Sequence, residues 1–175
     1  MSKHPLSIIA TLTLVTLANP IAAQTSMDTV AKNYPHPVCR QGLSEFATDE
    51  IRVLPHRLHS LHQTYTTNAE GLALSPFSAF GTVQYNDRPM TVNFLASPVS
   101  ATRCDIQMTR QYVLDDTCLG LREDSFKRWD FQGKLSNDVY VFKHRRAKNE
   151  TAYLSNHGRG KQCLIVSQKT LVFGE

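Results

Sequence analysis

Cys104-Asp105-Ile106-Gln107-Met108-Thr109-Arg110-Gln111-Tyr112-Val113-Leu114 alternates with the period of a β-strand. Cys104, Ile106, Met108, Tyr112 and Leu114 share one face, and Asp105, Gln107, Thr109 and Gln111 share the other. A strand of this kind is half-buried. It belongs to a sheet with one covered face, and it puts Cys104 on the covered side, where a buried disulfide fits.

The same period runs upstream. Met90, Val92, Phe94 and Ala96 alternate with polar partners, Asn86-Asp87-Arg88 reads as a turn, and residues 80–85 read as the preceding strand. Before them the period changes. Leu43, Phe46, Ala47, Ile51, Leu54, Leu58, Leu61 and Tyr65 recur at three- and four-residue steps, which predicts helix. Pro55 falls inside that run, so the expectation is two short helices meeting near Leu54, or one kinked helix. Residues 24–38 read as an extended arm, because Pro35 and Pro37 flank His36.

Downstream, Asp115-Asp116-Thr117 offers caps for a helix through about Asp130, with Leu119, Phe126 and Trp129 as its buried contacts. The cluster of Phe126, Trp129 and Phe131 reads as a docking face in preference to an exposed recognition patch. Gly133 breaks the pattern. Three short strands follow over 139–144, 151–155 and 163–168, the last extending toward 173. The expected class is α+β: an antiparallel sheet of about five or six strands, two helical segments packed on one face, and disulfide staples.

The N-terminus reads as an export signal. Lys3 is followed by an uncharged run over 6–18, then Asn19-Pro20 and Ile21-Ala22-Ala23-Gln24. The run is too short to span a bilayer, which takes about 18 to 20 apolar residues, and small residues stand at the exit. The expected cut falls after Ala23, and the expected destination is the periplasm or the outside of the cell. The organisation is then a signal peptide over 1–23, the arm over 24–38 and one α+β domain over 39–175. Loss of Lys3 takes the net charge from +4 to +3. That is too mild to imply nucleic acid or an anionic membrane. No second long apolar run predicts a span in the mature chain.

An oxidising destination turns the four cysteines toward disulfides. Three pairings are possible, and the expected one is Cys104–Cys118, across a short loop, with Cys39–Cys163 tying the ends. The cysteines are scattered, with no C-x-x-C pair, so zinc and a catalytic thiol are both disfavoured.

Two basic loops are the candidate binding residues: Arg145, Arg146 and Lys148 in one, His157, Arg159 and Lys161 in the other. Their charges and backbone amides suit a phosphate or carboxylate. They flank one short strand, so an antiparallel meander sets them at opposite ends of it. His56, His59 and His62 lie three apart on the predicted helix. With no interleaved carboxylate and no H-E-x-x-H pattern, His56 and His59 are expected on the solvent side, and metal binding through this helix is the lesser alternative. Asp115/Asp116 and Glu123/Asp124 read as helix-start residues, and no G-x-S-x-G elbow occurs. No catalytic residue, cofactor or metal is assigned. The leading expectation is a non-enzymatic interaction or binding domain, such as an inhibitor, immunity-type or envelope accessory protein, partnered by another envelope or secreted protein. The rival is a small secreted hydrolase with a histidine of the 56–62 group, or His157, as general base near a basic tip.

Overall fold

The computed structural model describes residues 26–51, 53–61, 64–86 and 88–175. The expected signal peptide, its cleavage point, His62 and Asp87 lie outside the described residues.

The lead-in is not an extended arm throughout. α1 spans Met27–Ala31, with the Ser26 hydroxyl accepting from the Thr29 amide at 3.3 Å. α2 spans Pro37–Ile51. Pro37 opens this helix instead of blocking it, because the first helical position needs no amide donor. His36 caps it: its Nδ1 accepts from the Cys39 amide at 3.2 Å. Cys39, Leu43, Phe46, Ala47 and Ile51 form the buried stripe.

The helix stops at Ile51, and Pro55 precedes a strand rather than a second helix. β1 spans His56–Ser60 and pairs antiparallel with β2, Phe77–Tyr85. β3 spans Arg88–Ser100 and β4 spans Arg103–Leu114. α3 covers only Cys118–Asp124, capped by the Thr117 hydroxyl on the Gly120 amide at 3.0 Å. The helix expected through about Asp130 thus ends at Asp124, and Trp129–Ser136 forms β5. β6 is Val139–His144, β7 is Glu150–His157 and β8 is Gln162–Gly174.

The result is mostly antiparallel sheet, with eight strands where five or six were expected. The two additional strands are β1, where helix is expected, and β5, of which only Trp129 and Asp130 fall within the expected helix. Their order is β1-β2-β3-β4-β8-β7-β6-β5. Two four-stranded meanders therefore meet at β4 and β8, which pair continuously from Arg103↔Gly174 to Leu114↔Cys163.

The alternation read in β4 holds: Cys104, Ile106 and Met108 are buried. By the same alternation Leu114 shares their face, and Leu114 sits opposite Cys163. Both disulfides therefore lie on one face, and both larger helical segments pack there. Cys39–Cys104 fixes α2 over β4, and Cys118–Cys163 fixes α3 over β8. These replace the expected pairs Cys104–Cys118 and Cys39–Cys163. Cys104 stands at the start of β4 and Cys118 lies beyond its end. Ten residues at about 3.3 Å each put the two roughly 33 Å apart, far beyond disulfide reach.

Under α2, the buried side chains Leu43, Phe46, Phe77, Val92, Phe94, Ile106 and Met108 form the larger of two clusters. Burying one such side chain contributes about 2–3 kcal/mol. Gly42 lets the helix approach closely: a Cβ there would meet Ile106 Cδ1 at 2.6 Å and Phe173 Cγ at 2.7 Å. Under α3 the cluster is smaller, with Leu121, Phe126, Phe142, Ala152, Leu154 and Ile165.

Candidate functional site

Between the two helices the covered face of the sheet is left open as a cleft of about 430 Å³. β4 supplies Arg110, Tyr112 and Leu114 to its floor, and Ser167 stands directly across from Arg110 on β8. The β2–β3 hairpin supplies Tyr85, Arg88 and Met90 on one side. Ser125, Phe126 and Trp129, where the chain leaves α3 and enters β5, form the opposite wall.

Alternation forces Arg110 inward, between Met108 and Tyr112. A cation on a covered face needs partners, and it has them. Its Nη2 donates to Glu150 Oε1 on β7 at 2.8 Å, and its Nη1 lies 3.5 Å from Glu50 Oε2, near the end of α2. Lys169 of β8 pairs with the other oxygen of Glu50 and lies 5.9 Å from the Phe46 ring centre. All four side chains are mostly buried. Two cations and two carboxylates from four elements thus close on one another at the cleft floor. This network ties α2 to the far meander.

The wall is aromatic. Phe126 packs on Trp129 at 5.2 Å and on Phe142 at 5.6 Å between ring centres. Phe126 is buried, whereas Phe131 is 44 % exposed and Leu119 is 62 % exposed. Of the contacts expected for the α3 region, Phe126 is therefore buried, Leu119 points out, and Trp129 takes part from a strand. Burial pushes the Tyr112 phenol above its ordinary value, Arg110 pulls it down, and Glu150, Tyr85 and Arg88 add smaller opposing effects. The net rise extends further into alkali the range in which Tyr112 stays a protonated hydrogen-bond donor.

The basic residues singled out in the sequence lie elsewhere. Arg145, Arg146 and Lys148 sit in the β6–β7 turn and are exposed, with Arg145 Nε donating to Asp130 at 2.7 Å. His157, Arg159 and Lys161 are exposed at the β7–β8 turn. The eight residues of β7 separate the two tips by roughly 25 Å. Neither set lines the cleft.

His56 is buried, not solvent-facing, because β1 pairing sends His56 and Leu58 inward and Arg57 and His59 outward. Its Nδ1 lies 2.8 Å from the Leu54 carbonyl oxygen, in a recess of about 250 Å³ that Asp28 and Ser44 also line. His56 and His59 therefore face opposite sides of the sheet and do not converge on a metal as helix neighbours would. Among the described residues, no three His, Cys, Asp or Glu side chains come together as a metal site, and no helix is long and apolar enough to cross a membrane.

The residue missed in sequence was Arg110. Its signal was its position, an arginine on the apolar face of an alternating strand, and only the fold shows what holds it. No family model, curated protein or solved structure matches the chain.

Proposed function

We propose that this chain is exported and acts as a non-enzymatic binding protein, with the cleft between α2 and α3 as its ligand site. The observation that carries this reading is a concave, aromatic-walled opening on whose floor Arg110 and Glu150 are already paired, with Glu50 and Lys169 completing the network beyond the lining. Its volume of about 430 Å³ falls in the ordinary range of small-molecule sites, roughly 300–1,000 Å³. Both carboxylates hold cations, so neither is placed as a free base. The rival hydrolase needs a histidine held against a carboxylate within a cleft. Two of the described histidines instead engage backbone: His36 binds the Cys39 amide and the Ser100 carbonyl, and His144 Nδ1 accepts from the Arg146 and Ala147 amides. Export through a signal peptide cut after Ala23 is supported by Lys3, the apolar run and the pairing of all four cysteines.

Trp129 is the only tryptophan of the chain and lines the cleft, so it reports occupancy directly. The mature chain is screened against small molecules by Trp129 emission and thermal shift. The expected result is saturable binding that Leu114→Phe, filling the floor without adding a second tryptophan, abolishes. Turnover of a bound compound would remove the non-enzymatic reading, and ligands that bind with Leu114→Phe unaffected would remove the cleft reading.

A further inference from the structure

Resting on the cleft as the ligand site, we infer that its ligand is a neutral, polyhydroxylated molecule of the saccharide class. One ring face would lie on Trp129 and its hydroxyls would meet Arg110, Glu150 and Ser167.

Charge balance is the first argument. Arg110 and Glu150, the pair on the floor, are 2.8 Å apart, Glu50 and Lys169 complete their network beyond the lining, and Arg88 on the hairpin side is itself engaged. At the floor a charged ligand attracted by one member of the pair is repelled by the other at nearly the same distance, so formal charge gains little there.

Desolvation is the second. An apolar body laid over the floor strips water from Arg110 and Glu150 and returns no hydrogen bonds, at a penalty that rises steeply for charged groups. Hydroxyls return both kinds of bond, donating to the Glu150 carboxylate and accepting from the Arg110 guanidinium. Such charge-assisted bonds are the stronger ones. Ser167, only 8 % exposed and opposite Arg110, and Tyr112 add two more hydroxyls to the same floor.

The wall supplies the third. Trp129 and Phe126 offer apolar surface that only part of the ligand can use, while the floor is polar. A flat aromatic ligand satisfies the wall and leaves the floor unmet. A sugar ring carries both surfaces, a C–H face and a rim of hydroxyls.

The test uses the mature, disulfide-intact chain and reads Trp129 emission together with amide NMR shifts. The probes are a panel of neutral hexoses, N-acetylhexosamines and their disaccharides, the matching uronic acids and amino sugars, and the neutral dye N-phenyl-1-naphthylamine. At least one neutral saccharide is expected to bind saturably at the cleft, with its charged counterparts about tenfold weaker. Glu150→Gln should weaken binding by about tenfold, the worth of one charge-assisted bond. Ser167→Ala leaves the charge network intact and should weaken it by about threefold to tenfold. Dye binding with no saccharide binding overturns the ligand class and leaves the cleft standing. A uronic acid or amino sugar that binds more tightly than its neutral parent does the same. If no probe perturbs Trp129 or the cleft amides, both readings fall.

Discussion

The same sheet face is covered in two ways. Under α2, fifteen residues of helix and α1 cover much of the first meander, and Phe77, Phe94, Ile106 and Met108 are almost fully buried. Under α3, seven residues of helix cover the second meander, and the cleft remains beside it. Each helix is tied down by one disulfide. A long helix completes a core, whereas a short one leaves sheet uncovered. The uncovered strip is where Arg110 and its carboxylates gather. The α2 side is therefore the stable body, and the α3 side is the wall of a site.

The disulfides test that contrast most severely. They close loops of 65 and 45 residues, so each should contribute about 4 kcal/mol in the chain-entropy model. Removing Cys118–Cys163 by paired alanine substitution should lower Tm by roughly 10 °C. Amide exchange should rise first in α3, β5 and β6 while α2 stays protected. Removing Cys39–Cys104 should instead expose the whole sheet together. Identical exchange patterns for the two variants would dissolve the distinction.

Arg110→Met comes next. It leaves Glu150 without its close partner and should cost about 3 kcal/mol, as broken buried pairs do. The loss is measured by urea unfolding. Arg110→Met combined with Glu150→Met should recover much of it, since an apolar replacement of the pair leaves no orphan charge. A double variant worse than the single would mean that the network itself fixes the meeting of the two halves.

Alkali probes the α2 side. Tyr34 is almost fully buried, its hydroxyl donates to the Ser75 carbonyl at 2.8 Å, and burial first, then Tyr65, holds its phenol above the ordinary value of 10. Above pH 10 the unfolded chain gives up this proton and the folded chain keeps it. Stability that is full below pH 10 should therefore fall as pH rises, by up to about 1.4 kcal/mol per pH unit from this group. Tyr34→Phe should cost about 1 kcal/mol at neutral pH and flatten the alkaline decline. A decline of equal slope in the variant would assign it elsewhere.

The smallest effect belongs to the tips. Alanine at Arg145, Arg146 and Lys148, or at Arg159 and Lys161, should shift stability by no more than about 0.5 kcal/mol. Ligand affinity at the cleft should stay unchanged, as calorimetry would show. A tip variant that loses ligand would move the site away from the cleft.

Much of the sheet could be read in advance, and the reasons are local. The faces of β3 and β4 and the Thr117 cap depend on neighbours within a few residues. The misreadings have a common cause. Leu54, Leu58 and Leu61 recur at helical steps, yet Pro55 resets the backbone and the β1–β2 pairing takes over, burying His56 and Leu58 and turning Leu61 out. Phe126 and Trp129 are also three apart, but Trp129 pairs with His144 in a strand. In both stretches a distant strand outweighed the local spacing. The candidate site was barely legible, because Arg110 draws meaning from Glu50 and Glu150, which lie 60 and 40 residues away.

By itself, the sequence determined the two faces of the central strands, the antiparallel α+β class and the presence of cysteines enough for two bridges. Only the tertiary structure decided which cysteines pair, which partners hold Arg110, and that α3 is too short to close the sheet. Side-chain alternation and capping are set within one turn or one pleat of chain. Pairing across the sheet is set by where β8 meets β4, and that meeting sums contacts along the whole length of both strands.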